Sequence, residues 1–151
     1  MLTDSIRRHH GWAGSAAFAL LMALSAPQAI AIDDAWIDKP YTVVDGKVDP
    51  GTYNGYRRYH SHCHVCHGPD GLGSTYAPAL VKSIPQIGYQ GYIETVVNGR
   101  EGVATVAGQP SVMPSFADVM DVISYIDDIY AYLKARADGA LERGRPERLS
   151  Q

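Results

Sequence analysis

Apolar residues near the end of the chain recur at spacings of three and four. Val119, Val122, Ile123, Ile126, Ile129, Tyr130 and Leu133 fall on one side of a helix drawn over 116–139, the pattern of an amphipathic helix laid on a core. Near the start the apolar residues are continuous instead. "GWAGSAAFALLMALSA" (11–26) follows Arg7 and Arg8 and leads to "AIA" (29–31), small residues at the positions a signal peptidase reads. This run, with Gly and Ser in it, falls short of the ~20 residues needed to span a bilayer. Residues 1–31 are therefore predicted to be a cleaved export signal rather than an anchor. Segment 32–54 begins acidic and then turns extended, with Pro40, Gly46, Pro50 and Gly51 as breakers. Segment 139–151 is polar and basic, with Arg143, Arg145 and Arg148. Both flanks read as solvated, the alternative being that they wrap the core or shape a docking surface. The expected organisation is a signal over 1–31, an extension over 32–52, one domain over 53–136 and a polar tail over 137–151. Neither βαβ alternation nor a hairpin pattern stands out, which predicts an all-α fold.

Composition narrows the function classes. The chain has 151 residues, 46% of them hydrophobic, enough for one modest core. Of its 13 Lys and Arg, loss of Arg7 and Arg8 leaves 11, against 15 acidic residues once Asp4 is gone, a formal charge of −4. A mildly acidic exported protein lacks the basic surface that nucleic-acid phosphates demand.

The chemistry is concentrated in "YRRYHSHCHVCHGPDG" (56–71), where His60, His62, Cys63, His64, Cys66 and His67 stand within eight positions. A disulfide between Cys63 and Cys66 would close too short a loop to act as a staple. A zinc site usually draws four ligands from separated pairs, yet no Cys or His follows Gly68. A thioredoxin-like thiol pair expects a strand before it and a helix after it, whereas "HGPDGLG" (67–73) breaks any helix at once. The remaining reading is "CHVCH" (63–67) as C-x-x-C-H, the form by which c-type haem is attached. Residues i, i+3 and i+4 share one helix face, so two thiols and an imidazole project together. His60, His62 and His64 are then bystanders.

A haem held by His67 needs a sixth ligand or does without one. Beyond residue 31 the thioether candidates are Met113 and Met120. Met120 falls within the predicted helix and is expected to pack in or beside its apolar face. Met113 lies in "AGQPSVMPSF" (107–116), a loop bracketed by Pro110 and Pro114, whose prolines reduce the entropy lost in laying a thioether over the haem. Met113 is the expected ligand.

"CHVCHGPDGLGSTYAPAL" (63–80), "MPSF" (113–116) and the helix carrying "IYAYLKAR" (129–136) together resemble the monohaem class I c-type cytochromes. "GTYNGYRRYHSHCHVCHGPDGLGSTYAPAL", "VVNGR" (96–100) and "DGALERGRP" (138–146) further resemble the periplasmic cytochromes c associated with methanol oxidation by quinoprotein dehydrogenases. The resemblance implies three to five short helices around one covalently bound haem c. It implies that the Pro78 carbonyl orients the proximal His67, and that Gly55 and Tyr59 cross the last helix at Tyr130 or Tyr132. A further helix is expected over 89–99, ended by Gly99.

Iron held by His and Met has no open position and cycles between two oxidation states. The chain also has no second haem motif, no nucleotide fingerprint and no nucleophile beside a base. The expected protein is a periplasmic monomeric electron carrier, not an enzyme, meeting membranes at most transiently. By resemblance its donor is a pyrroloquinoline quinone (PQQ) alcohol or methanol dehydrogenase, and its acceptor another cytochrome or an oxidase. The alternatives are a haem enzyme or ligand sensor whose sixth ligand is displaceable, and a carrier serving another exported dehydrogenase or reductase. Asp118, Asp121, Asp127 and Asp128 read as a solvated face, with Arg57, Arg58 and Arg100 nearer the haem edge.

Overall fold

The computed structural model describes residues 34–104 and 110–150. The export signal expected over 1–31 lies outside them. The described elements belong to one compact unit, Ile32–Gln151. Among the described residues no helix is long and apolar enough to cross a membrane.

The frame is a crossing of two helices. The first, α2 (Pro50–His62), follows a short helix α1 (Asp34–Asp38). Its start is set locally: Asp49 is the N-cap, its carboxylate accepts from the Thr52 N–H at 2.9 Å and the Thr52 hydroxyl at 2.6 Å, and Pro50 follows at the first turn. Burial pushes the Asp49 carboxyl up, but hydrogen bonds from Thr52, Thr42 and Gly51 outweigh it and hold the group below the usual carboxylate range. Across α2 lies α6 (Ile126–Ala137). A Cβ built on Gly55 would fall 1.8 Å from the Asp128 carbonyl oxygen, so only glycine allows this approach. Tyr59 and Tyr132 pack beside the crossing with ring centroids 5.4 Å apart, both fully buried.

The helix expected over 116–139 is two helices, α5 (Met120–Ile123) and α6. Tyr125 leaves the helical region (φ −129°, ψ 25°) and its ring lies under the Arg58 guanidinium, 4.3 Å away. The apolar spacing continues across this break, which is why periodicity does not reveal it: Val122, Ile129, Tyr130 and Leu133 are all buried. Met120, expected at the apolar face, stands at the exposed start of α5 and is 68% exposed.

The third wall is α4 (Leu80–Asn98), which breaks at Gly88 (φ 64°). Its second half ends at Gly99, as expected, with the Gly99 N–H bonded to the Thr95 carbonyl. It is pinned to α6 by the Tyr92 hydroxyl donating to the Ile126 carbonyl at 3.0 Å and the Tyr89 hydroxyl donating to Asp127 at 2.6 Å. Asp127 and Asp128 are thus not a free solvated face; Asp128 also accepts from the Asn54 amide at 2.7 Å.

The mostly helical class is as expected, with short strands added. β1 (Val43–Val44) and β2 (Lys47–Val48) form a hairpin through Asp45 and Gly46, whose φ values of 49° and 74° suit a two-residue turn of the primed type. β2 also pairs in parallel with β5 (Glu147–Arg148). A second hairpin joins β3 (Arg100–Ala104) to β4 (Pro110–Met113). The flanks are not simply solvated. Trp36 of α1 packs edge-on against Tyr89 at 5.5 Å, the Tyr41 hydroxyl donates to Asp138 at 2.8 Å, and Leu141 is buried.

Candidate functional site

After α2 the chain makes one further helical turn. The Cys63 N–H bonds to the Tyr59 carbonyl at 2.8 Å, and the Cys63 carbonyl accepts from the N–H groups of Cys66 at 3.2 Å and His67 at 3.0 Å. The short helix α3 (His64–His67) results. Gly68, at φ 70°, stops it; a Cβ there would meet the Gly73 carbonyl oxygen at 2.2 Å.

Cys63, Cys66 and His67 all line a cavity of about 990 Å³, at the upper end of the ~300–1,000 Å³ typical of small-molecule sites. Its walls are apolar: Leu80, Ile84 and Ile87 from α4, Val122 from α5, Ile129 and Leu133 from α6. The two cysteines are not joined in a disulfide, and burial, then the neighbouring Cys66, push an unmodified Cys63 thiol up to about 12.

His67 is 7% exposed, and its Nδ1 lies 2.9 Å from the Pro78 carbonyl oxygen. A carbonyl can only accept, so Nδ1 carries the proton and Nε2 keeps its lone pair. Burial pulls the His67 pKa down and the bond to Pro78 pulls it up, with burial ahead. The ring is neutral and oriented, with a lone pair that could hold a metal, since a ligating histidine is characteristically fixed by its other nitrogen.

Met113 reaches the same cavity from the end of β4 and is half-buried. Its position rests on more than the two prolines noted in the sequence. Gly99 lets the segment pass: a Cβ there would lie 2.5 Å from the Met113 carbonyl oxygen and 2.7 Å from the Ser115 nitrogen. Beyond it, the Ser115 hydroxyl donates to the Val97 carbonyl at 2.5 Å and the Phe116 N–H to the Val96 carbonyl at 3.0 Å. The methionine segment is stitched to the last turn of α4. Exposed Met120 does not line the cavity.

The other histidines are engaged elsewhere. His60 and His64 each donate Nδ1–H to the backbone carbonyl four residues earlier, at 2.8 and 3.1 Å. His62 lines the cavity rim but is paired through Nε2 with Asp121 at 2.7 Å. Asp121 is also bonded by Arg58, and these two partners, His62 first, hold its carboxyl below the usual range. Arg58 is therefore committed within the fold, while Arg100 is exposed and lines the cavity. Sequence reasoning missed three rim residues, Val65, Tyr76 and Val112, which are apolar, strongly exposed and part of the cavity lining. They come from three separate segments, and no spacing links them.

Two thiols, an oriented imidazole and a thioether around one apolar cavity fit a haem attached through its edge. No protein-family profile matches the chain. Over 102 residues it is 56% identical to cytochrome c-553I of Paracoccus denitrificans, covering 68% of this chain and 44% of that one, so it spans less than half of that relative's length. It is 35% identical over 102 residues to cytochrome c-555 of Methylococcus capsulatus, covering 67% of this chain and 75% of the relative. The crystal structure of the c-type cytochrome XoxG from Methylobacterium extorquens AM1 superposes with a TM-score of 0.64 at 46% identity, covering 74% of this chain and 67% of that one. The chain belongs to the class I monohaem c-type cytochromes. Membership brings a covalently bound haem c, and the class consists of electron carriers rather than enzymes.

Proposed function

We propose that this protein is a periplasmic one-electron carrier in which Cys63 and Cys66 hold the haem by thioether bonds, with His67 and Met113 as axial ligands. The observation that carries the reading is that His67 and Met113 line the same cavity as the two thiols of the C-x-x-C-H turn. The haem so held supplies a one-electron couple with no open position for substrate. The chain's own residues do the rest. Pro78 fixes the His67 tautomer, and Gly99 with Ser115 and Phe116 fixes the methionine segment. The apolar wall keeps water from the site, which raises the cost of a charge change there. Exposed Val65, Tyr76 and Val112 at the cavity rim offer a small apolar contact of the kind that transient redox encounters use. Residues 1–31 would direct export and then be removed.

The donor is a PQQ-dependent alcohol or methanol dehydrogenase, and the acceptor another cytochrome or a terminal oxidase. Support for this comes from the likeness of the haem-bearing segment and the "DGALERGRP" tail to cytochromes of that pathway. Stopped-flow reduction of the holoprotein by purified quinoprotein alcohol dehydrogenases tests the assignment. A charge-steered encounter falls in rate as salt shortens the Debye length from ~10 Å at 0.1 M. Arg57→Glu, at an exposed position on α2 outside the cavity lining, should alter the rate and its salt slope without changing the haem spectrum. Slow, salt-insensitive reduction by every alcohol dehydrogenase tried would remove the donor assignment.

A further inference from the structure

The loop that leaves His67 is held by residues far away in sequence. Asp70 sits in the left-handed region at φ 59° and is only 4% exposed. Its Oδ1 accepts from the Gly144 N–H at 3.0 Å and its Oδ2 from Arg143 Nε at 3.3 Å. Its own carbonyl accepts from Arg136 Nε at 3.5 Å, and Arg136 also donates to the Leu141 carbonyl at the start of the tail. On the other side the Tyr59 hydroxyl donates to the Gly68 carbonyl at 2.5 Å and accepts from the Gly71 N–H at 3.1 Å. The Gly73 N–H closes the loop onto the His67 carbonyl at 2.7 Å. Next to Asp70, Gly71 packs so closely on Leu133 and Leu80 that a Cβ would stand 3.3 and 3.7 Å from their side chains; both leucines line the cavity. Asp70 thus stands three residues from His67 and next to a glycine packed on the wall of the site.

We propose that Asp70 is a positioning residue that also sets the reduction potential, and that the C-terminal tail, through Arg143 and Gly144, tunes it. The inference rests on the reading of His67 as the proximal ligand. A buried negative charge favours the more positive oxidation state of a nearby metal, and in a poorly screened interior the effect outweighs that of a surface charge. Arg143 partly neutralises it. The Arg143 side chain is 67% exposed, so its contribution is smaller than that of Asp70 itself. The tail is thus an electrostatic part of the site, although no described tail residue lines the cavity.

The test is the reduction potential of the holoprotein, measured by spectroelectrochemistry for wild type, Asp70→Asn, Arg143→Gln and Arg143→Lys. Asn tolerates a left-handed φ and keeps an oxygen for the Gly144 N–H, so the first variant removes the charge and spares the loop. Asp70→Asn should raise the potential, Arg143→Gln should lower it by less, and Arg143→Lys should leave it near the wild-type value. A clasp with only a structural role would loosen the loop in both and shift both potentials in the same direction. Shifts of the same sign, or no shift in either Asp70→Asn or Arg143→Gln, overturn the proposal. Failure of the ligand assignment is distinguished by the wild type alone: haem that extracts from it, or a ferric spectrum without a thioether signature, overturns the parent reading instead.

Discussion

Gly55 and Asp128 meet backbone to backbone, with a Cβ at Gly55 destined to lie 1.8 Å from the Asp128 carbonyl oxygen. No rotamer change relieves this, because the obstacle is main chain. Gly55→Ala should therefore cost at least about 3 kcal/mol, the upper end of what overpacking usually costs. Gly46→Ala is the control: its φ is 74° but nothing lies within 4 Å, so it should cost only the ~1–2 kcal/mol of left-handed strain. Denaturant midpoints of the two holoproteins check the order.

Asp49 gives α2 a pH dependence of known sign. Its carboxyl is depressed in the folded chain, so its contribution is fully present above the unfolded value of ~3.9 and is lost as pH falls through the lower folded value. Asp49→Ala should lose about 1 kcal/mol of capping at pH 7. Asp49→Asn keeps a capping oxygen without a titrating group, so its stability should fall less steeply than wild type below about pH 4. Unfolding free energies measured from pH 7 to pH 3 report both.

Cys63 and Cys66 share the cavity with His67, and covalent attachment through both predicts that haem stays with the polypeptide after acid acetone. Cys63→Ala and Cys66→Ala should each sharply reduce the yield of holoprotein. Free extraction of haem from the wild type would contradict the thioether assignment.

What the sequence made legible was local. The C-x-x-C-H turn, the Gly99 cap and the apolar face of the last helix all depend on residues within a few positions of one another. The hairpin at Asp45 and Gly46 is equally local, an Asp-Gly pair between "VV" and "KV" that is a known turn signal, but strands of two residues carry no alternation to mark it. The break at Tyr125 was hidden, since a single non-helical residue leaves the apolar spacing intact. Contacts such as Gly144 with Asp70, 74 residues apart, or Trp36 with Tyr89, have no signature in the chain. They are why two polar-looking flanks turned out to wrap the core. The same applies to Arg58, expected with Arg57 and Arg100 near the haem edge, whose pairing with Asp121 and stacking on Tyr125 commit it within the fold.

The identity of the sixth ligand separates a closed electron carrier from a haem open to small molecules. Ferric iron bound by thioether sulfur gives a weak far-red absorption band, and Met113 lines the cavity while Met120 is 68% exposed. The decisive measurement is the ferric far-red spectrum of three holoproteins: wild type, Met113→Ala and Met120→Leu. The account predicts the band in wild type and in Met120→Leu, a surface change worth at most ~0.5 kcal/mol in stability, and its loss in Met113→Ala together with a lowered potential. A band that survives Met113→Ala, or one that is missing from the wild type, would contradict it.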